Sequence, residues 1–331
     1  MKRKQQKFHF YRWKRKIFAA ILVGFCLVSL VLMQSNCTRI ISLRHRFDQK
    51  PKIAFLFIAR NRLPLEMVWD KFFKVDWGEA SMIEAERILL RHALEDPYNE
   101  RFVFLSDSCI PLYNFGYTYN YIMSTSTSFV DSFADTKQGR YNPKMFPIIP
   151  VHNWRKGSQW AVLTRKHAEV VVNDSTVFPI FQQNCKRRSL PEFWREHTSP
   201  IDPAKEHNCI PDEHYVQTLL AQEGLEGELS RRSLTYSAWD LSASKDHERR
   251  GWHPVTYKYS DATPKLIQSI REIDNIYYET EYRREWCSNK GKPSRCFLFA
   301  RKFTRPAALH LLNMSVLGAE NVQGMNETAA K

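Results

Sequence analysis

The sequence predicts a mixed α/β domain carried behind a single membrane-spanning helix, and three observations lead there. Residues 17–34 form an uninterrupted apolar stretch after a basic tail. Residues 52–58 read as a strand with apolar side chains on both faces, and helical segments then lead to a second strong strand, RFVFLS at 101–106. A strand apolar on both faces belongs inside a sheet that helices cover from either side.

The tail, residues 1–16, holds eight Lys or Arg and no acid. The positive-inside bias therefore keeps it cytosolic and sends residues 35 onward across the membrane. The apolar core from Ile17 to Met33 is at the short end for a spanning helix, which suits the thinner membranes of the early secretory route. A cleaved signal peptide is the competing reading, disfavoured by the long charged tail and the want of a small-x-small cleavage site. Behind the anchor come a polar stem (35–51), a body (52–312) and a polar tail (313–331) expected to be disordered.

The net charge of +14 resembles a nucleic-acid signature until the tail is set apart, which leaves 41 basic against 35 acidic residues. That remainder implies no nucleic-acid partner and is compatible with a moderately basic pocket for a phosphorylated substrate. Sequons at Asn36, Asn173, Asn313 and Asn326 agree with a lumenal address. Of seven cysteines, Cys26 lies in the anchor, and Cys287 and Cys296 flank a turn-rich segment and are expected to pair. Cys37, Cys109, Cys185 and Cys209 cannot be paired from sequence, and Cys109 suits a bond or a small buried hydrophobe equally.

Within the body, residues 63–73 carry apolar positions at helical spacing. Asp76 to Glu79 then form a capping-box-like start for a helix over 79–94. Strand, helix, helix, strand is an incomplete order, because a parallel sheet wants a strand between the two helices and only KVDW stands there. Residues 113–158 read as loops and short helices, 158–164 as a strand running into a helix to Val172, and 181–208 as a long basic loop. Pro211 sits at the predicted N1 of a helix closed by Gly224. A short strand at 234–239, a buried strand within 296–303 and a helix from Thr304 complete the body.

No GxGxxG, P-loop, HExxH, paired CxxC or GxSxG is present. RFVFLS ends in Asp107-Ser108-Cys109, one carboxylate where a metal–diphosphate site needs two, so a bound metal is disfavoured. Charge on a departing diphosphate would then fall to Arg and Lys. The basic cluster tied to a buried strand is Arg295, Arg301, Lys302 and Arg305, which on composition reads equally as a solvated strand end. Asp212 and Glu213, in the predicted first helical turn, would be held ionised by the helix dipole and could accept a hydroxyl proton. Helix capping is the plainer reading of the same pair.

Taken together, WGEASMIEAERILLRHAL, FVFLSDSCIPLYNF, FVDSFADTKQGRYNPKM, HNWRKGSQWAVLTRKHA, CIPDEHYVQTLL, RRSLTYSAWD, GWHPVTY and CFLFARKF resemble the plant branch of the core-2/I-branching β-1,6-N-acetylglucosaminyltransferase family, in the same order from about Lys52 to Phe303. The resemblance implies a Rossmann-like, GT-A-type glycosyltransferase fold, Golgi type II topology, inverting chemistry, a UDP-sugar donor and no metal or other cofactor. A glycan or glycoprotein would be the acceptor. It implies Glu213 as catalytic base and Lys302, with Arg295 or Arg301 beside it, as diphosphate ligand. It places donor contacts at Ile58, Ala59, Arg60 and Asp107, and acceptor contacts at Trp239 and along Gly157, Ser158, Gln159 and Trp160. Relatives also carry a few tens of residues between FF and WGEASM, including a strand, where this chain joins KFFK directly to VDWGEA. The gap in the strand order is therefore a departure from the family that puts the donor half in doubt, and it leaves an inactive lumenal member, acting by binding or partner association, as the alternative to a transferase.

Overall fold

The computed structural model describes residues 50–58, 78–136, 140–186, 209–239 and 254–317. The tail, the predicted anchor at 17–34, nearly all of the stem, the predicted helix at 63–73 and the end of the chain lie outside these residues. Among the described residues no helix is long and apolar enough to cross a membrane.

The first strand, β1 (Lys52–Ile58), pairs in parallel with β2 (Asn99–Ser106), and α1 (Ala80–Leu94) lies between them in the chain. After β3 (Ile110–Pro111) and α2 (Phe115–Met123) come three short strands, β4 (Ser128–Phe129), β5 (Phe133–Ala134) and β6 (Arg155–Lys156). Then follow β7 (Val162–Thr164), α3 (Arg165–Asn173), α4 (Val177–Asn184), a 3-10 turn at Pro211–Glu213, α5 (Tyr215–Gln222), β8 (Leu229–Ser230) and β9 (Thr235–Ser237). The last part holds α6 (Pro264–Arg271), the hairpin β10 (Asn275–Tyr278) and β11 (Arg283–Trp286), the short pair β12 (Ser288–Asn289) and β13 (Lys292–Pro293), β14 (Phe299–Arg301) and α7 (Arg305–Asn313).

The main sheet runs β1-β2-β7-β4-β8, and a second runs β3-β14-β9. The main sheet is mixed: β1 and β2 are parallel, whereas β7 joins β2 and β4 antiparallel. β2 is central, and its alternation shows it: Phe102 and Phe104 enter the core under the helices, Val103 and Leu105 the core shared with Phe129, Leu298 and Phe299. Both faces are covered, as the apolar run predicts. β1 behaves differently. It stands at the end of its sheet, Leu56 is its buried apolar residue, and Phe57 is 60% exposed. The expectation of a strand apolar on both faces holds in part: Ala54 and Leu56 pack on the core under the helices and Ile53 and Phe55 on the opposite core, while Phe57 is left uncovered.

Helix starts follow local chemistry. Thr164, Thr263 and Thr304 each accept a backbone N–H in the first turn of α3, α6 and α7. At α1 the cap is Glu79, with no side-chain cap bond, after Gly78 at φ +75°, and Asp76, the expected start of the capping box, lies outside the described residues. The predicted loop at 181–208 begins later than expected, because α4 extends to Asn184. Its first turn is held by the Asp174 carboxylate, which accepts from Val177 and Phe178 N–H. Asp174 also accepts from the Tyr215 hydroxyl at 2.8 Å, and its carbonyl accepts from buried Arg87 at 2.7 Å. This node ties α1, α3, α4 and α5 together. The Cys287–Cys296 disulfide forms as expected; Cys185 bonds Cys209, a pairing the sequence left open, and Cys109 is a free thiol.

Candidate active site

A cavity of about 360 Å³ opens where the 3-10 turn, the segment after β6, the end of β14 and the β10–β11 hairpin converge. One wall is the chain from Lys156 to Trp160, the last three residues of which begin the strand predicted over 158–164. β7 begins only at Val162. The preceding backbone is committed elsewhere: Gly157 N–H donates to the Glu213 carbonyl at 2.9 Å, and Ser158 N–H to the Asp131 carboxylate at 2.9 Å. A Cβ on Gly157 would sit 1.7 Å from the Asp131 carbonyl oxygen, so no other residue allows this approach. Gly157, Ser158, Gln159 and Trp160 all line the cavity, and Trp239 faces it, 47% exposed.

Glu213 lines the same cavity, but not from the first turn of a helix. His214, at φ −129°, separates the 3-10 turn from α5. The ring of His214 stacks on Trp154 at 4.5 Å, with its nitrogens 2.8 Å from the Ile210 carbonyl oxygen and 3.1 Å from the Asp135 carboxylate. The dipole of a regular helix is thus not what favours the Glu213 anion. Burial pushes its carboxyl up, but the Lys156 ammonium, bonded to Oε2, brings it below the usual range, with His214 and Arg140 helping. Beside it, burial raises Asp131 against hydrogen bonds from the Tyr278 hydroxyl, 2.7 Å away, and from Ser158. Behind the wall, Glu86 is 3% exposed and raised well above the carboxylate range, first by burial and then by the charge of Asp212.

Opposite charge comes from the end of β14. Arg301 is 6% exposed with its guanidinium over the Trp160 ring at 4.5 Å, and Lys302 follows it; both line the cavity. The arrangement sets an ionised carboxylate and two cations around one space, which suits accepting a proton at one end and receiving an anionic leaving group at the other. Among the described residues no group of three or more His, Cys, Asp or Glu gathers in a metal-binding arrangement.

Not every predicted position comes here. Arg295 is exposed, and its carbonyl accepts from the Tyr121 hydroxyl at 2.9 Å. Asp107 is exposed in the turn after β2, and neither residue lines the cavity. Ile58 ends β1 opposite Ser106, while Ala59 and Arg60 lie outside the described residues. Asn173 and Asn313 are exposed at helix ends; Asn36 and Asn326 lie outside the described residues. Sequence reasoning missed Lys156, Asp131 and Tyr278. Lys156 stands beside the GSQW segment, but nothing in the sequence tells that it meets Glu213, 57 residues away.

Residues 74–271 match the sequence model of the family described as Core-2/I-Branching enzyme. That stretch includes Glu213, Trp239 and the Gly157–Trp160 wall, and excludes β1 and Lys302. It begins where KFFK meets VDWGEA. The chain is also similar to the rice (Oryza sativa subsp. japonica) protein Glycosyltransferase BC10, 66% identical over 316 residues, covering 83% of this chain and 79% of that protein. Since 83% of 331 residues is about 275, about 40 of the 316 aligned positions fall opposite gaps in this chain.

Proposed function

Because this chain belongs to the Core-2/I-Branching enzyme family, we propose that it is a Golgi glycosyltransferase moving a sugar from a UDP-sugar donor to a hydroxyl of a glycan or glycoprotein. One observation carries the assignment of roles: Glu213, held ionised, and the cations Arg301 and Lys302 line one cavity. The acceptor oxygen attacks the anomeric carbon and its proton passes to Glu213. The bond from that carbon to the diphosphate breaks, and the electron pair leaves with UDP, whose charge Arg301 and Lys302 meet. Attack opposite the leaving group inverts the anomeric centre. Two fixed cations on the leaving group supply what a divalent ion would otherwise provide, so EDTA should leave the rate unchanged.

The assay uses the full-length chain with UDP-N-acetylglucosamine as first donor. Glu213→Gln is expected to lower transfer by about 10²- to 10⁴-fold, as for loss of a general base, while UDP still raises the melting temperature. Lys302→Ala is expected to abolish that UDP-dependent rise. Transfer that survives Glu213→Gln would defeat the assignment. A specific observation supports a second reading, a binding member without activity: β1 stands at the sheet end, and about 40 aligned positions of the relative have no counterpart here. Wild type that shows neither transfer nor a UDP-dependent shift would favour it. The type II topology belongs to the same proposal, and glycosidase-sensitive mass on Asn173 and Asn313 is its test.

A further inference from the structure

Glu213 is not alone in its wall of the cavity. The Lys156 ammonium bonds its Oε2, both side chains are largely buried, at 18% and 25% exposure, and the other oxygen, Oε1, makes no hydrogen bond to any described residue. Lys156 itself is fixed from both sides. β6 pairs with β5, setting Lys156 opposite Phe133, and neighbouring Arg155 makes a two-pronged ion pair with Glu226 at 2.7 and 2.9 Å. On its other side, Gly157 bonds the carbonyl of Glu213. The two backbones are therefore stitched together one residue from the side-chain pair.

Resting on the reading of Glu213 as the base, we infer that Lys156 is its positioning residue, clamping Oε2 so that Oε1 alone is presented to the acceptor hydroxyl. The clamp matters because of what else faces Glu213. Asp212 shares its turn, Glu86 on α1 lies behind that turn, and Asp131 stands across Lys156; burial raises the carboxyls of Glu86 and Asp131, and burial is likewise the influence that pushes Glu213 itself up. His214 from the same turn and Arg140 act in the other direction. Arg301 and Lys302 line the far side, where the donor phosphates would neutralise them, and the Tyr278 hydroxyl is occupied by Asp131. Lys156 is thus the cation in direct contact with the base on the acceptor side. It acts through Glu213 and not on the sugar. Its cost is basicity, since a carboxylate bonded to an ammonium is a weaker base; its gain is a base that stays ionised in a mildly acidic lumen.

The test compares wild type, Lys156→Met and Lys156→Arg as full-length chains. The Glu213 carboxyl titration is followed by carbon-13 NMR with labelled glutamate, the signal identified by its loss in Glu213→Gln. In Lys156→Met the midpoint is expected to move to higher pH and in Lys156→Arg to return toward wild type. The acidic limb of the kcat/KM profile should move with it, lowering kcat/KM about tenfold for each unit of movement at pH below the limb, with activity recovered above it and acceptor KM little changed. A midpoint that stays in place overturns the inference, as does a uniform loss at every pH or a rise confined to acceptor KM. Should Lys156→Met fail to fold, judged by its melting curve, Lys156→Gln takes its place under the same criteria. Transfer unaffected by Glu213→Gln would instead sink the base assignment, whatever the titration shows.

Discussion

At the scale of single residues, the site depends on side chains whose neighbours are far away in sequence. Gly157 is the plainest case. Its backbone must pass within bonding reach of Asp131 and Glu213, and an added Cβ would collide with the Asp131 carbonyl oxygen, in the short link between β4 and β5. Gly157→Ala is expected to cost about 3 kcal/mol or more, at the top of the usual range for overpacking, and calorimetry would show the fall in melting temperature. An unchanged melting temperature would mean the wall is looser than these contacts imply. Glu86 offers a pH prediction. Its native pKa is raised, so the folded state holds a proton that the unfolded chain releases at lower pH. Stability should therefore fall as pH rises from the ordinary glutamate value through the raised native one. Glu86→Gln keeps an acceptor for Gln159, which donates to Glu86 at 3.4 Å, and should flatten that decline in urea unfolding over a pH series. Parallel curves for wild type and variant would count against it. The sequence marked Glu213 and Lys302 through motif resemblance. It could not mark Glu86 or Lys156, whose roles exist only where separate segments meet.

At the scale of elements, reading by period succeeded where burial is uniform and faltered where backbone bonds leave the ladder. β2 carries its own alternation, α1 its apolar spacing, and α3, α6 and α7 their threonine caps, and all but α6, which the apolar spacing did not single out, were anticipated. The strand expected at 158–164 shortened to three residues because its first half bonds across the cavity instead of to a sheet neighbour. The helix expected from Pro211 is broken at His214, whose ring is held by Ile210 and Asp135. The node at Asp174 was likewise invisible, since its members come from four helices. Asp174→Ala removes the hold on the first turn of α4 and leaves Arg87 buried without its carboxylate, 3.6 Å away. A loss of about 3–5 kcal/mol in denaturant unfolding is expected. A change within 1 kcal/mol would show that the carbonyls of Val172 and Asp174 suffice for Arg87.

At the scale of the whole molecule, two observations bear on how complete the domain is. Among the described strands β1 has a neighbour on one side alone, and the alignment with the rice protein leaves about 40 positions without counterparts in this chain. Ligands of open α/β sheets sit beyond the strand ends, so the strands present there matter for donor binding under the proposed function. Restoring the residues of the rice protein that have no counterpart here is expected to strengthen the UDP-dependent rise in melting temperature and to increase transfer; equal behaviour of both forms would mean that those residues are dispensable. The sequence by itself determined the α/β class, the starts of α1, α3 and α7, the Cys287–Cys296 pairing and the motifs that carry the family, because these rest on neighbours within a few residues or on order along the chain. Tertiary structure alone decided that β7 runs antiparallel, that β1 is the outermost described strand of its sheet, that Arg295 stays outside the cavity and that Lys156 meets Glu213. Those facts depend on which distant segments pack together, and packing is set by the whole core, not by any local pattern.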